Sequence, residues 1–266
     1  MPNFFHAIEP GRGLQTLADD ACKLLSFAKL GLAFGESHQG SVPGDREAVL
    51  VMLSGRAKVE IQGHSFEVGQ RQNVFAGLPH SVYLPKGSNY IVTALSNMEA
   101  ALPSAPSDLD IDPYEIRPEQ VNTGQWGTLN YTRYFREILV EPDDRPASSL
   151  IVGETITPSG NWSTYPPHKH EANKGSEVFH EEMYYFRVSS PDGYGLTHHY
   201  SPERDYDDVY HVTDDTLLSI PHGYHSYVGA PGTQSYYLWF LAGEGRTQGV
   251  TLDPKVGWVQ KTVGMV

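Results

Sequence analysis

From Ala48 onward the chain is written in short apolar runs: AVLVMLSG, AKVEIQG, HSFEVG, NVFAGLP, SVYLPKG and NYIVTAL. They recur at intervals of roughly 8–12 residues and are punctuated by Gly and Pro, the rhythm of an antiparallel sandwich or barrel. A second series follows, with strands expected over 131–141 and 149–155 and then at YYFRVSS, YGLTHHYS, DVYHVTDD, TLLSIPHG and SYYLWFLAG. The 26 Gly and 19 Pro are spread between these runs, which favours many strands and turns over long helices. The fold class is therefore all-β.

The start is less regular. Leu14, Leu17, Ala21, Leu24, Leu25 and Phe27 fall close to helical spacing, although strands before Gly31 and Gly35 are also compatible. Residues 99–125 are polar and Pro-rich with no sustained period, as expected of a linker. The two halves echo each other. NVFAGLPHSVYLPKG sets beside DTLLSIPHGYHSYVGAPG, with His80 against His222, and Glu47 before AVLVMLSG sets against Glu182 before MYYFRVSS. That points to an internal duplication, divided as residues 1–125 (first barrel plus linker) and 126–266 (second barrel).

Eight of the twelve His lie between 168 and 225, so chemistry is expected in the second half. In His168-Lys169-His170 the two imidazoles are two residues apart, and on a strand positions i and i+2 share a face. An acid at Glu181 or Glu182 and a further His225 in a later turn complete a His-x-His…Glu…His layout. Glu182 is favoured, because alternation then sends Tyr184 and Phe186 inward with it. Three imidazoles and one carboxylate suit a divalent ion such as Zn, Mn or Fe. The first half has no His-x-His and is expected to hold no metal. Lys169, between two inward His, points out. His180, His198, His199, His211 and His222 read mainly as structural, and Cys22 as a packed core residue.

Net charge is −13, from 19 Lys plus Arg and 32 Asp plus Glu, which argues against nucleic acid or an anionic membrane as partner. The single cysteine excludes an internal disulfide framework and fits a reducing compartment. With no leader-like N-terminus and no membrane-length apolar run, the expectation is a cytoplasmic protein.

The words GDREAVLVMLSGRAKVEI, GNWSTYPPHKH, EEMYYFR, IPHGYHSYVGAPG and YYLWFLAGEGRT make the chain similar to the cupin superfamily, as a bicupin with metal in the second barrel. Within it the chain resembles the 5-deoxy-glucuronate isomerases of myo-inositol catabolism over about residues 44 to 258. The 4-deoxy-5-ketouronate isomerases of pectin breakdown are more distant relatives. This resemblance implies two tandem double-stranded β-helix barrels and a metal held by His168, His170, Glu182 and His225. It also implies conversion of 5-deoxy-D-glucuronate, a small sugar acid, to 2-deoxy-5-keto-D-gluconate.

An aldose–ketose isomerisation needs a Lewis acid, a group that moves a proton between neighbouring carbons, and an anchor for the carboxylate. For the proton, Glu181 and Tyr184 lead, with Glu177 or solvent at the metal open. For the anchor, Arg187 and Arg246 lead, with Arg204 behind them, since a planar guanidinium pairs bidentately with a carboxylate. Tyr224 is a further candidate for substrate contact. A homo-oligomer is expected from pairing of barrel edges. Two other classes remain open: a metal-dependent oxygenase or decarboxylase, and a sugar-acid-binding cupin without turnover.

Overall fold

The computed structural model describes residues 3–17, 19–141 and 145–265. Its strands form four antiparallel sheets. The first contains Ser37–Ser41, Asn89–Ala94, Ala57–Ile61 and His64–Val68. The second contains Tyr114–Ile116, Ser81–Leu84, Arg46–Ser54, Met98–Pro106, Ser26–Leu32 and Gly13–Thr16. The third contains Phe5–Ala7, Thr216–Ile220, His180–Val188, Ser235–Gly243, Ile151–Thr157, Arg133–Leu139 and Asn122–Trp126. The fourth contains Tyr206–Val212, Gly195–Ser201, Tyr224–Gly229, Trp162–Lys169 and Thr251–Leu252. Among the described residues no helix is long and apolar enough to cross a membrane.

The sheets stack in that order, and alternation explains how. In Arg46–Ser54, Ala48, Leu50 and Met52 enter the core between the first and second sheets. Val49, Val51 and Leu53 enter a separate core shared with Met183, Tyr185, Leu238 and Phe240 of the third sheet. His180–Val188 does the same: Tyr184 and Phe186 point into the second sandwich while Met183 and Tyr185 point into the shared core. Both strands are apolar on both faces because both faces are covered. Buried polar groups cross the junction as well. Arg71 meets Glu154 across it at 2.5 Å, with Arg136 of the same sheet as Glu154 3.3 Å away. Lys29 meets Asp215 across it at 2.7 Å, with Glu99 of its own sheet 2.8 Å away.

One sequence alternative is settled and two expectations change. Of the helix and the strands that the sequence left open over the first residues, the strands form, at Gly13–Thr16 and Ser26–Leu32. The latter lies between two partners, sending Phe27 to the shared core and Leu30 and Leu32 into the first sandwich. Most of the expected linker is sheet. Met98–Pro106 lies between Arg46–Ser54 and Ser26–Leu32, where Ala100, Ala101 and Ala105 are fully buried small residues. A stretch chosen for close packing reads, in sequence, like a polar connector. Finally, Phe5–Ala7 pairs with Thr216–Ile220, and Asn122–Trp126 pairs with Arg133–Leu139. Phe5–Ala7 and residues 122–125, assigned by sequence to the first half, lie in strands of the third sheet.

The duplication is visible in the ladders, but in another register. Ala48 faces Leu84 as Glu182 faces Ile220, so Leu84-Pro85-Lys86-Gly87 corresponds to Ile220-Pro221-His222-Gly223. His80 is therefore not the counterpart of His222, and Glu47 corresponds to Glu181.

Candidate metal centre

The turn-strand Trp162–Lys169 carries His168 directly opposite His225 of Tyr224–Gly229. The ladder shifts register between Ser163 and His168, which turns the end of the strand inward. His170 follows two residues on, and Glu182 projects from His180–Val188 on the facing sheet. One ligand atom from each of His168, His170, Glu182 and His225 lies within 4.8 Å of all the others. The Nε2 atoms of His170 and His225 are 3.1 and 3.2 Å from Glu182 Oε2.

The surroundings orient this cluster. His170 Nδ1 lies 2.7 Å from the His180 carbonyl, so that nitrogen carries a proton and Nε2 is turned inward to Glu182, where it would offer its lone pair to a bound cation. His180 Nε2 donates in turn to the Gly245 carbonyl at 3.1 Å. His225 is fully buried, and neither ring nitrogen has an aligned hydrogen-bond partner. Imidazole nitrogens left in that state are costly unless they ligate something. Burial, with His225 and His170 adjacent, pushes the His168 imidazole well below its usual pKa, and burial lowers His225 too. Burial alone would raise the Glu182 carboxyl, but His170 and His225 outweigh it and hold it well below the usual carboxylate range. Neutral imidazoles and an ionised carboxylate are the forms that bind a metal, and His168, His225 and Glu182 are in those forms. At His170 burial is outweighed by Glu182 and the His180 carbonyl, which favour a proton that an incoming cation would displace, so the residues fit a divalent ion.

The first sandwich carries none of these donors at the equivalent positions. Gly40 faces Tyr90 as His168 faces His225. Val42 then stands for His170, Ala48 for Glu182 and Tyr90 for His225. Val42, Ala48 and Tyr90 are core residues, and the Tyr90 ring occupies the space beside Gly40.

The cluster opens into a cavity of about 350 Å³. Its walls include Tyr184, Arg133, Tyr131, Trp126, Tyr237 and Trp239. The 3-10 helix Gly257–Met265 closes one side through Gln260 and Val263. Tyr237 donates or accepts at Ser163 Oγ, 2.6 Å away.

Of the other residues singled out from sequence, Tyr184 lines the cavity with its ring 5.6 Å from that of His225. Four do not. Glu181 turns to the junction, where its carboxylate accepts the backbone N–H groups of Lys23 and Leu24 at 2.7–2.9 Å. Arg187 is committed to Glu99 and Asp214, both at 2.9 Å. It shares the outward face with Tyr185, since it alternates with the inward Phe186. Tyr224, one residue before His225, faces the other side and stacks on Tyr200 at 5.4 Å with the Lys169 ammonium 5.3 Å from its ring. Arg246 is buried away from the cavity and donates to the Arg145 carbonyl at 3.1 Å. Arg204 is exposed, 3.8 Å from Glu171.

Sequence reasoning passed over Arg133, Trp126, Tyr237 and Trp239. The last two had a signal: Glu182, Tyr184 and Phe186 pair with Leu241, Trp239 and Tyr237, so the same alternation runs through SYYLWFLAG. Arg133 had none beyond its place at the start of an expected strand.

Residues 9–259 match the KduI/IolB family. The chain belongs to that family. Among its relatives, a 5-deoxy-glucuronate isomerase of Geobacillus thermodenitrificans is 37% identical over 221 residues, covering 82% of this chain and 80% of the relative. An IolB-like protein from Salmonella typhimurium, solved as a crystal structure, superposes with a TM-score of 0.91 at 31% identity, covering 97% of this chain and 99% of that one. An oxalate decarboxylase from Bacillus subtilis superposes with a TM-score of 0.65 at 11% identity, over 95% of this chain and 80% of that one. That likeness speaks for the two-barrel cupin fold alone. This KduI/IolB member is thus an isomerase-family enzyme with a His/Glu cluster suited to a metal.

Proposed function

We propose that the chain catalyses the metal-dependent isomerisation of 5-deoxy-D-glucuronate to 2-deoxy-5-keto-D-gluconate, with His168, His170, Glu182 and His225 as ligands to the metal. The observation that carries this reading is the convergence of the quartet, three of its four residues buried, at the wall of a small polar–aromatic cavity, in a chain of this family. The cavity volume of about 350 Å³ lies near the lower end of ordinary ligand pockets, roughly 300–1,000 Å³, as suits one six-carbon acid. The donor set suits Zn, Mn or Fe. A divalent ion held there would supply Lewis-acid polarisation of the substrate carbonyl.

The rest of the task falls to the chain. Tyr184 presents a phenol beside the cluster. The reading has it give its proton to the oxygen that ceases to be a carbonyl and take one back from the hydroxyl that becomes one, so that the phenol is restored each turnover. Tyr237, tied to Ser163, holds the opposite wall in place. Trp126 and Trp239 exclude water from the reacting carbons. The reading includes a cytoplasmic setting and self-association of the chain. The latter is supported by large exposed apolar side chains, Leu129 at 65% and Trp258 at 63%, and light scattering checks it.

Proton NMR of 5-deoxy-glucuronate with metal-loaded protein tests the reading. Conversion to the keto acid without oxygen uptake or carbon dioxide release is expected, and His170→Ala should lose both metal and turnover. Substrate left unchanged by the loaded protein would overturn it.

A further inference from the structure

We infer that Arg133 recognises the carboxylate of the substrate and makes this cavity selective for sugar acids over neutral sugars. The inference relies on the isomerase reading only for which sugar acid is converted.

Arg133 lies in the wall of the cavity that contains the metal cluster. The junction arginines are matched by acids: Arg71 and Arg136 by Glu154, Arg187 by Glu99 and Asp214. Arg133 is different. Among the described residues no carboxylate comes within ion-pair distance of it, and its buried Nε has no hydrogen-bond partner. Glu182, the acid among the lining residues, is engaged with His170 and His225. A half-buried guanidinium with a buried, unpartnered Nε and no counter-charge is unfavourable, and an anion entering the cavity relieves that cost.

The guanidinium is also held in place. Its carbon lies 5.5 Å from the ring centre of Trp126, a cation–π contact that sets its plane. Gly127, at φ +72°, leaves the room it needs. A Cβ there would fall 3.0 Å from Arg133 Nη1 and 2.2 Å from the Tyr131 carbonyl oxygen. Trp126, Gly127 and Arg133 come from one hairpin of the third sheet, with Trp126 directly opposite Arg133. A planar fork fixed by an aromatic face and facing a cavity is suited to bidentate capture of a carboxylate. A carboxylate bound there leaves the far carbons of a short sugar chain to meet the His/Glu cluster.

Calorimetric titration of D-glucuronate and of D-glucose into the full-length, metal-loaded protein tests this directly. Glucuronate should bind more tightly than glucose by roughly 10- to 100-fold, the range for charge-assisted hydrogen bonds. Arg133→Gln should abolish that preference and Arg133→Lys should keep part of it, all three proteins holding equal metal. In turnover, Arg133→Gln should raise KM for 5-deoxy-glucuronate by a similar factor while kcat changes less. Absence of the preference in the unaltered protein, or its survival in Arg133→Gln, overturns the inference. Binding of glucuronate through Arg133 without conversion of 5-deoxy-glucuronate overturns the isomerase reading and sustains this one. Conversion by Arg133→Gln at unchanged KM does the reverse.

Discussion

Glu47 and Glu181 stand at equivalent positions in the two sandwiches, and each accepts main-chain N–H groups from the segment leading into the other. Glu47 takes those of Ser148, Ser149 and Leu150 at 2.8–3.1 Å, together with the Tyr83 hydroxyl at 2.6 Å. Glu181 takes those of Lys23 and Leu24. The two carboxylates are reciprocal clasps across the shared core, which is why neither is available to a ligand.

Removing either clasp leaves backbone donors without a partner. Glu181→Ala and Glu47→Ala are each expected to lower the unfolding free energy by about 2–3 kcal/mol. Metal content per folded molecule should not change in either. Denaturant titration with metal analysis checks both points, and loss of metal in Glu181→Ala would return that residue to the site.

The first sandwich should resist even one methyl group at the position that matches His168. A Cβ on Gly40 would come 2.4 Å from the Tyr90 ring, a rigid neighbour fixed in the core. Gly40→Ala is expected to destabilise by about 1–3 kcal/mol through overpacking. Gly40→Ala combined with Tyr90→Leu should recover part of that loss in thermal unfolding.

Acid should loosen the junction. Burial alone would raise the Glu99 carboxyl, but Arg187 and Lys29 hold it below its ordinary value. A carboxyl with a depressed folded pKa binds fewer protons folded than unfolded. Its contribution is therefore complete above the unfolded value of about 4.3 and is lost as pH falls through the folded one. Glu99→Gln should flatten the decline of stability below about pH 4.5, measured by unfolding at a series of pH values. An unchanged slope would mean that other carboxyls govern it.

Metal removal should be felt as stability as well as activity. An ion that binds only the folded chain at 100 times its Kd adds about 2.7 kcal/mol. Chelation is expected to lower Tm, readdition to restore it, and His225→Ala to make Tm insensitive to both. A chelator without effect on the unaltered protein would count against the quartet as a metal site.

The quartet was legible in the chain because each step to it is local. Two residues of separation on a strand share a face, and alternation from Glu182 through Tyr184 and Phe186 separates it from Glu181. The repeat was legible only as a pattern. Its register slipped, because Pro-His turns recur in both halves at unequal places, whereas the ladders fix which residues correspond. A slip of one residue exchanges the two faces, and that is the difference between Glu181 as a clasp and Glu182 in the cavity.

The sequence by itself therefore determined the all-β class, the duplication and the four residues that converge in the second sandwich, since strand periodicity and side-chain chemistry are short-range properties. Only the tertiary structure decided that Arg187 and Arg246 are spent elsewhere, that 98–106 is a central strand, and that Arg133 faces the cavity without a counter-charge. Pairing of a charge depends on which distant strand lies opposite it, and no local rule of spacing carries that information.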